Sequence, residues 1–193
     1  PVDKSWVILQ AYAKEKHGMA LKDEVETVFA APAVINEQLM EGNVDAVLNF
    51  WHYNARLKAA GMTEVISVKD VLDQLNLNHE TPLLGWVFDK TWAEENSKLV
   101  TAFLNSSFQT KEILLNDLGQ WENLKKKMKA DEDETLFVAL RDAYRDGIVS
   151  EFKADHISSA SEVFAVMASI GGEKLVGSAD KLDENTFWKA YIE

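Results

Sequence analysis

The stretch APAVINEQLMEGNVDAVLNF, residues 31–50, decides which fold the sequence implies. Pro32 suits the first turn of a helix, where a backbone N–H would find no intrahelical partner. Val34, Ile35, Gln38 and Leu39 continue the helix, and Gly42 closes it. VDAVLNF, residues 44–50, then reads as a strand whose apolar run suits burial on both faces of a parallel sheet.

The same alternation extends in both directions. Toward the amino end, Asp3 or Ser5 caps a helix over residues 4–17, with Trp6, Leu9 and Ala13 on one face and Gly18 as its stop. VETVF, residues 25–29, alternates and is rich in β-branched residues, so it reads as a strand. Beyond residue 50, a helix over 51–60 ends at Gly61. A strand over 64–68, a short helix over 69–75 and a strand over 83–88 follow. Helices alternating with strands across short links imply an α/β fold with a parallel-type sheet, so residues 1–90 are expected to form one α/β lobe. That lobe lacks a strand before its first helix.

From Thr91 the pattern becomes helical, which sets residues 91–193 apart. Leu99, Phe103 and Leu104 belong to a long helix reaching toward Leu115. Trp121, Leu124 and Met128 mark a second helix. Leu136, Leu140 and Tyr144 mark a third, ended by Gly147. Ser158 is expected to cap a fourth, with Val163, Val166, Met167 and Ile170 on its buried side and Gly171-Gly172 at its end. Phe187-Trp188 is expected to dock the tail. Lys125-Lys126-Lys127 reads as a solvated helix face and Asp45 as a turn or cap residue.

Composition narrows the function. The 193 residues suffice for one large domain or two small lobes. Against 32 acidic residues stand 20 Lys and Arg, a net charge of −12. That balance argues against nucleic acid as a partner and against docking on anionic lipid. No apolar run reaches the roughly 18 residues of a membrane span, so direct membrane insertion is not expected. There is no cysteine, which excludes disulfides and thiolate chemistry. The four histidines, His17, His52, His79 and His156, are scattered, without metal-ligand spacing or a nucleophile–base pair. No catalytic residue, metal or cofactor is therefore expected. The chain opens abruptly at Pro1-Val2-Asp3-Lys4 without a secretory leader, and upstream sequence is expected to be missing.

Ala31-Pro32-Ala33 through Glu41-Gly42-Asn43-Val44-Asp45-Ala46-Val47 resembles the second lobe of periplasmic substrate-binding proteins of ABC importers, those for nitrate, sulfonates, taurine and pyrimidine thiamine precursors. In that family a helix ending in a leu-x-x-gly-x-val-asp-ala pattern precedes a buried strand, which ends at an aromatic facing the ligand cleft. Here it ends at Asn49-Phe50-Trp51-His52. Gly85-Trp86-Val87-Phe88 resembles the returning crossover strand. The likeness covers roughly residues 1–115. It implies a type II binding-protein lobe whose first partner lobe is absent, with residues 91–193 belonging to the hinge and first lobe, and with residues 88–91 as the hinge itself. It also implies a small anionic or heteroaromatic ligand, an ABC permease as partner, and a periplasmic or extracytoplasmic location.

In such a lobe, loops at the carboxyl ends of strands and the N-termini of helices face the ligand. The ligand-binding residues expected on that basis are Lys4, Ser5 and Trp6 at one helix start, Pro32 at another, Asn49 at the end of the second strand, and Trp51 and His52 just past it. The Trp51 indole would stack on a flat ligand and donate one hydrogen bond. Two alternatives stand beside the receptor. One is an enzyme of thiamine-pyrimidine or menaquinone biosynthesis on the same fold, although the pyrimidine-synthesising relatives carry a cysteine-rich motif absent here. The other is a sensory or interaction module.

Overall fold

The computed structural model describes residues 3–179, 181–183 and 185–188. All regular structure among them is helical. In chain order the helices are α1 (Lys4–His17), α2 (Leu21–Glu24), α3 (Pro32–Met40), α4 (Trp51–Ala59), α5 (Val68–Gln74), α6 (Lys90–Glu95), α7 (Ser97–Asn116), α8 (Gly119–Glu122), α9 (Lys125–Met128), α10 (Glu134–Asp146), α11 (Ala154–Gly171) and α12 (Glu173–Val176).

This overturns the α/β expectation. Segments 25–29, 44–50, 64–68 and 83–88 form no strand, so neither the parallel sheet nor the binding-protein lobe built on it is present among the described residues. Alternation and β-branching describe side chains that fit a half-buried pleated surface. A strand exists only when a neighbour takes up its N–H and C=O groups. Without that neighbour the alternating apolar residues stay in solvent: Val65 is 90% exposed, Leu84 78% and Val87 95%.

Contacts divide the chain into two compact units that interleave in sequence. The first comprises Pro1–Phe29, Ile66–Val87 and Phe152–Glu193, and the second Ala30–Val65 and Phe88–Glu151.

In the first unit, α1 starts because the Asp3 carboxylate accepts the N–H groups of Ser5 (2.9 Å) and Trp6 (3.2 Å). It stops at Gly18, whose φ of 65° is left-handed and whose N–H returns to Lys14 O. A reciprocal capping box between Ser67 and Asp70 opens α5. Ile8 and Ala11 of α1, Val71 and Leu72 of α5, Leu75 just beyond it, and Val163 of α11 form the core. Val166, Met167 and Ile170 pack against it, as the helical periodicity of that segment requires. The cap of α11 is displaced from expectation: Lys153 precedes the helix, and its N–H is accepted by His156 Nδ1 at 3.0 Å. Ser158 lies inside the helix, where its hydroxyl donates to Asp155 O. Phe187 sets its ring 5.5 Å from Phe152.

In the second unit, α10 packs along α4. Phe137 and Leu140 of α10, Ala55 of α4, Trp121 of α8 and Ala130 form a second core. Part-buried and exposed polar contacts flank it. The Trp121 indole donates to Leu114 O at 2.8 Å, and the Arg145 guanidinium donates through Nε and one terminal nitrogen to Leu115 O at 3.3 and 2.9 Å. Lys125 meets Glu122 and Glu134 at 2.9 and 2.8 Å above the face of Phe137. The one helix expected near Trp121 and Met128 is two short ones, α8 and α9.

Candidate functional site

The second unit holds a recess of about 620 Å³ between α4 and the α8–α9–α10 segment. Its size is that of a small-molecule site, for which the usual range is roughly 300–1,000 Å³. α4 supplies Trp51, His52, Tyr53 and Arg56; Tyr144 comes from α10 and Trp121 from α8. The spacing explains the sharing: His52 and Arg56, four residues apart, fall on one helix face.

Trp51, in the first turn of α4, is 45% exposed. Its ring meets Tyr144 edge-on at 5.6 Å, and Tyr144 in turn meets Trp121 edge-on at 5.4 Å. Such T-shaped contacts match the positive edge of one ring to the negative face of the next. His52 lies 5.2 Å from Trp51, and burial first and the nearby Arg56 cation second hold its pKa below the ordinary imidazole value. Both effects favour the neutral imidazole. Arg56 is fixed by donating to Met128 O at 2.9 Å.

Charge sets this recess apart. On a chain of net charge −12, its lining includes Arg56, Lys127 and Lys129 and no carboxylate. A second recess in this unit, about 480 Å³, has the opposite character, with Glu112 and Glu151 among amides. Among the described residues, no group of three or more His, Cys, Asp or Glu is placed to hold a metal ion.

The residues expected from sequence fall into separate places. Trp51 and His52 line the recess. Pro32 and Asn49 belong to the same unit, but their polar groups are engaged nearby: Asn49 Nδ2 donates to Pro32 O and Asn36 Oδ1, both at 2.8 Å. Lys4, Ser5 and Trp6 belong to the first unit. There the Asp3 carboxylate already occupies the helix tip, and Lys4 Nζ donates to Leu83 O at 2.9 Å. Trp6 sets its ring edge-on to Phe29 at 6.5 Å.

Sequence reasoning missed Arg56, Lys127, Lys129, Trp121 and Tyr144. Arg56 carried a signal, since it follows His52 by one helical turn. Lys127 sits in the lysine run read as a solvated face, and its place in the recess depends on tertiary packing.

No protein-family profile matches the chain, and no curated protein matches it. No described helix is long and apolar enough to cross a membrane.

Proposed function

We propose that the protein is a solute receptor, the binding component of an import system, and that a small anionic or heteroaromatic ligand seats in the Trp51 recess. The observation that carries the binding role is the lining itself: an exposed indole and a half-buried imidazole beside three cations, with no acidic side chain. Aromatic faces take a flat ligand body and cations neutralise its charge. The import role is carried by the residue pattern of segment 31–47 alone, since the buried strand that follows this pattern in importer receptors is absent among the described residues. It carries with it an ABC permease as partner and an extracytoplasmic site of action.

Calorimetry against nitrate, taurine, alkanesulfonates and pyrimidines tests the binding role, with Trp51→Ala as control. Saturable heat that Trp51→Ala abolishes supports it. Silence across the panel from folded protein refutes it. Copurification with a membrane permease tests the import role. An interaction module is the second reading, favoured by the exposed apolar side chains of Val65, Leu84 and Val87. Copurification with a kinase or transcription factor would select it instead.

A further inference from the structure

Lys129 occupies a backbone conformation that lysine disfavours. It follows α9 with φ 55° and ψ 47°, and its N–H returns to Lys125 O and Lys126 O. This left-handed position at a helix end is ordinarily filled by glycine, occasionally asparagine, because a side chain there crowds the following carbonyl. Among the described non-glycine residues, only Asn76 shares a positive φ, and asparagine tolerates it. Strain of this kind persists where surrounding structure enforces it and clusters at ligand sites. Here it coincides with the cationic recess, whose lining includes Lys129.

All three cations of the lining keep their charge: Arg56 donates one N–H to the neutral Met128 carbonyl, and Lys127 and Lys129 are exposed. Lys127 and Lys129, the two exposed ammonium groups, suit two negative charges, and the half-exposed Trp51 indole suits a flat body. Resting on the reading of this recess as the ligand site, we infer that it takes a planar aromatic dianion of the dicarboxylate type, and that Lys129 keeps its left-handed conformation to present its ammonium to one carboxylate.

The test pairs stability with binding, using phthalate as the dianion and the uncharged phthalamide as its neutral counterpart. Glycine relieves the left-handed strain, so Lys129→Gly is expected to raise Tm by about 2–4 °C. The same substitution removes a charge pair and is expected to weaken phthalate binding about three- to fivefold. Lys129→Asn, which tolerates this conformation, is expected to lose affinity equally. Wild-type binding of phthalate is expected to fall with added salt and to exceed that of phthalamide.

Lys129→Gly that gains stability yet binds phthalate unchanged would overturn the inference, leaving Lys129 a helix cap. A loss of Tm on Lys129→Gly would overturn the strain argument. Equal affinity for phthalate and phthalamide would overturn the dianion while leaving the recess as a site. A wild-type protein silent toward phthalate and toward the whole panel of nitrate, taurine, alkanesulfonates and pyrimidines would remove the recess reading itself.

Discussion

Replacing Trp121 by phenylalanine isolates what holds the floor of the recess. Trp121 is only 3% exposed, packs among Ala55, Ala130, Phe137 and Leu140, and donates its indole N–H to Leu114 O at 2.8 Å. Phenylalanine keeps one ring and loses the donor. Leaving this part-buried carbonyl without its partner costs up to about 1–3 kcal/mol. The missing ring atoms leave a void that adds about 1 kcal/mol, since each unfilled methyl-sized gap costs on that order. The sum is about 2–4 kcal/mol, or a fall in Tm on the order of 5–10 °C for a chain of this size. Thermal unfolding followed by near-ultraviolet circular dichroism measures it. Trp51→Phe is the control: the ring is half exposed, and the expected change is under about 1 kcal/mol. A Trp121→Phe variant within about 2 °C of wild type, beside a larger loss for Trp51→Phe, would refute the assignment of these two indoles to core and surface.

Four further outcomes follow from the same structure. Leu72→Ala empties a fully buried position of the first core, and a loss of about 2–5 kcal/mol is expected in urea unfolding. Ser67→Ala removes the capping box of α5 at a cost of about 1 kcal/mol, readable in the same assay. Gly61, at φ 91°, resists any side chain, so Gly61→Ala should cost about 1–2 kcal/mol; Gly85→Ala, with an ordinary φ and open space around its Cβ, should be neutral or slightly stabilising. His52 has a folded pKa lowered from 6.5 by burial and by Arg56. The unfolded chain therefore takes up its proton first, and stability present above the ordinary value is lost as pH falls from 6.5 toward the folded pKa. His52→Gln should flatten the Tm profile in that acid window, and an unchanged slope would count against the assigned environment.

Local signals in the sequence suffice where local physics decides. α1 runs from Lys4 to His17 between a carboxylate cap and a left-handed glycine, both visible in the residue types. Pro32 opens α3, and Gly42 and Gly61 take the positive φ expected after the helices they close. The sheet failed because strand formation is not local. Residues 25–29, 64–68 and 83–88 have strand-like side chains, yet pairing depends on a neighbour that sequence pattern does not specify. The candidate site divides along the same line. Trp51 and His52 stood out by chemistry and position. Lys127 and Lys129 join them only through the packing of α9 beside α4, and a lysine run carries no trace of that.

The most direct measurement of the central claim follows the six tryptophan indole N–H signals by heteronuclear NMR during titration with phthalate, with Trp51→Phe and Trp6→Phe supplying two assignments. A ligand seated in the recess should shift the Trp51 signal saturably and leave that of Trp6, in the other unit, in place. Movement of Trp6 with Trp51 unchanged would put the ligand elsewhere and contradict the account.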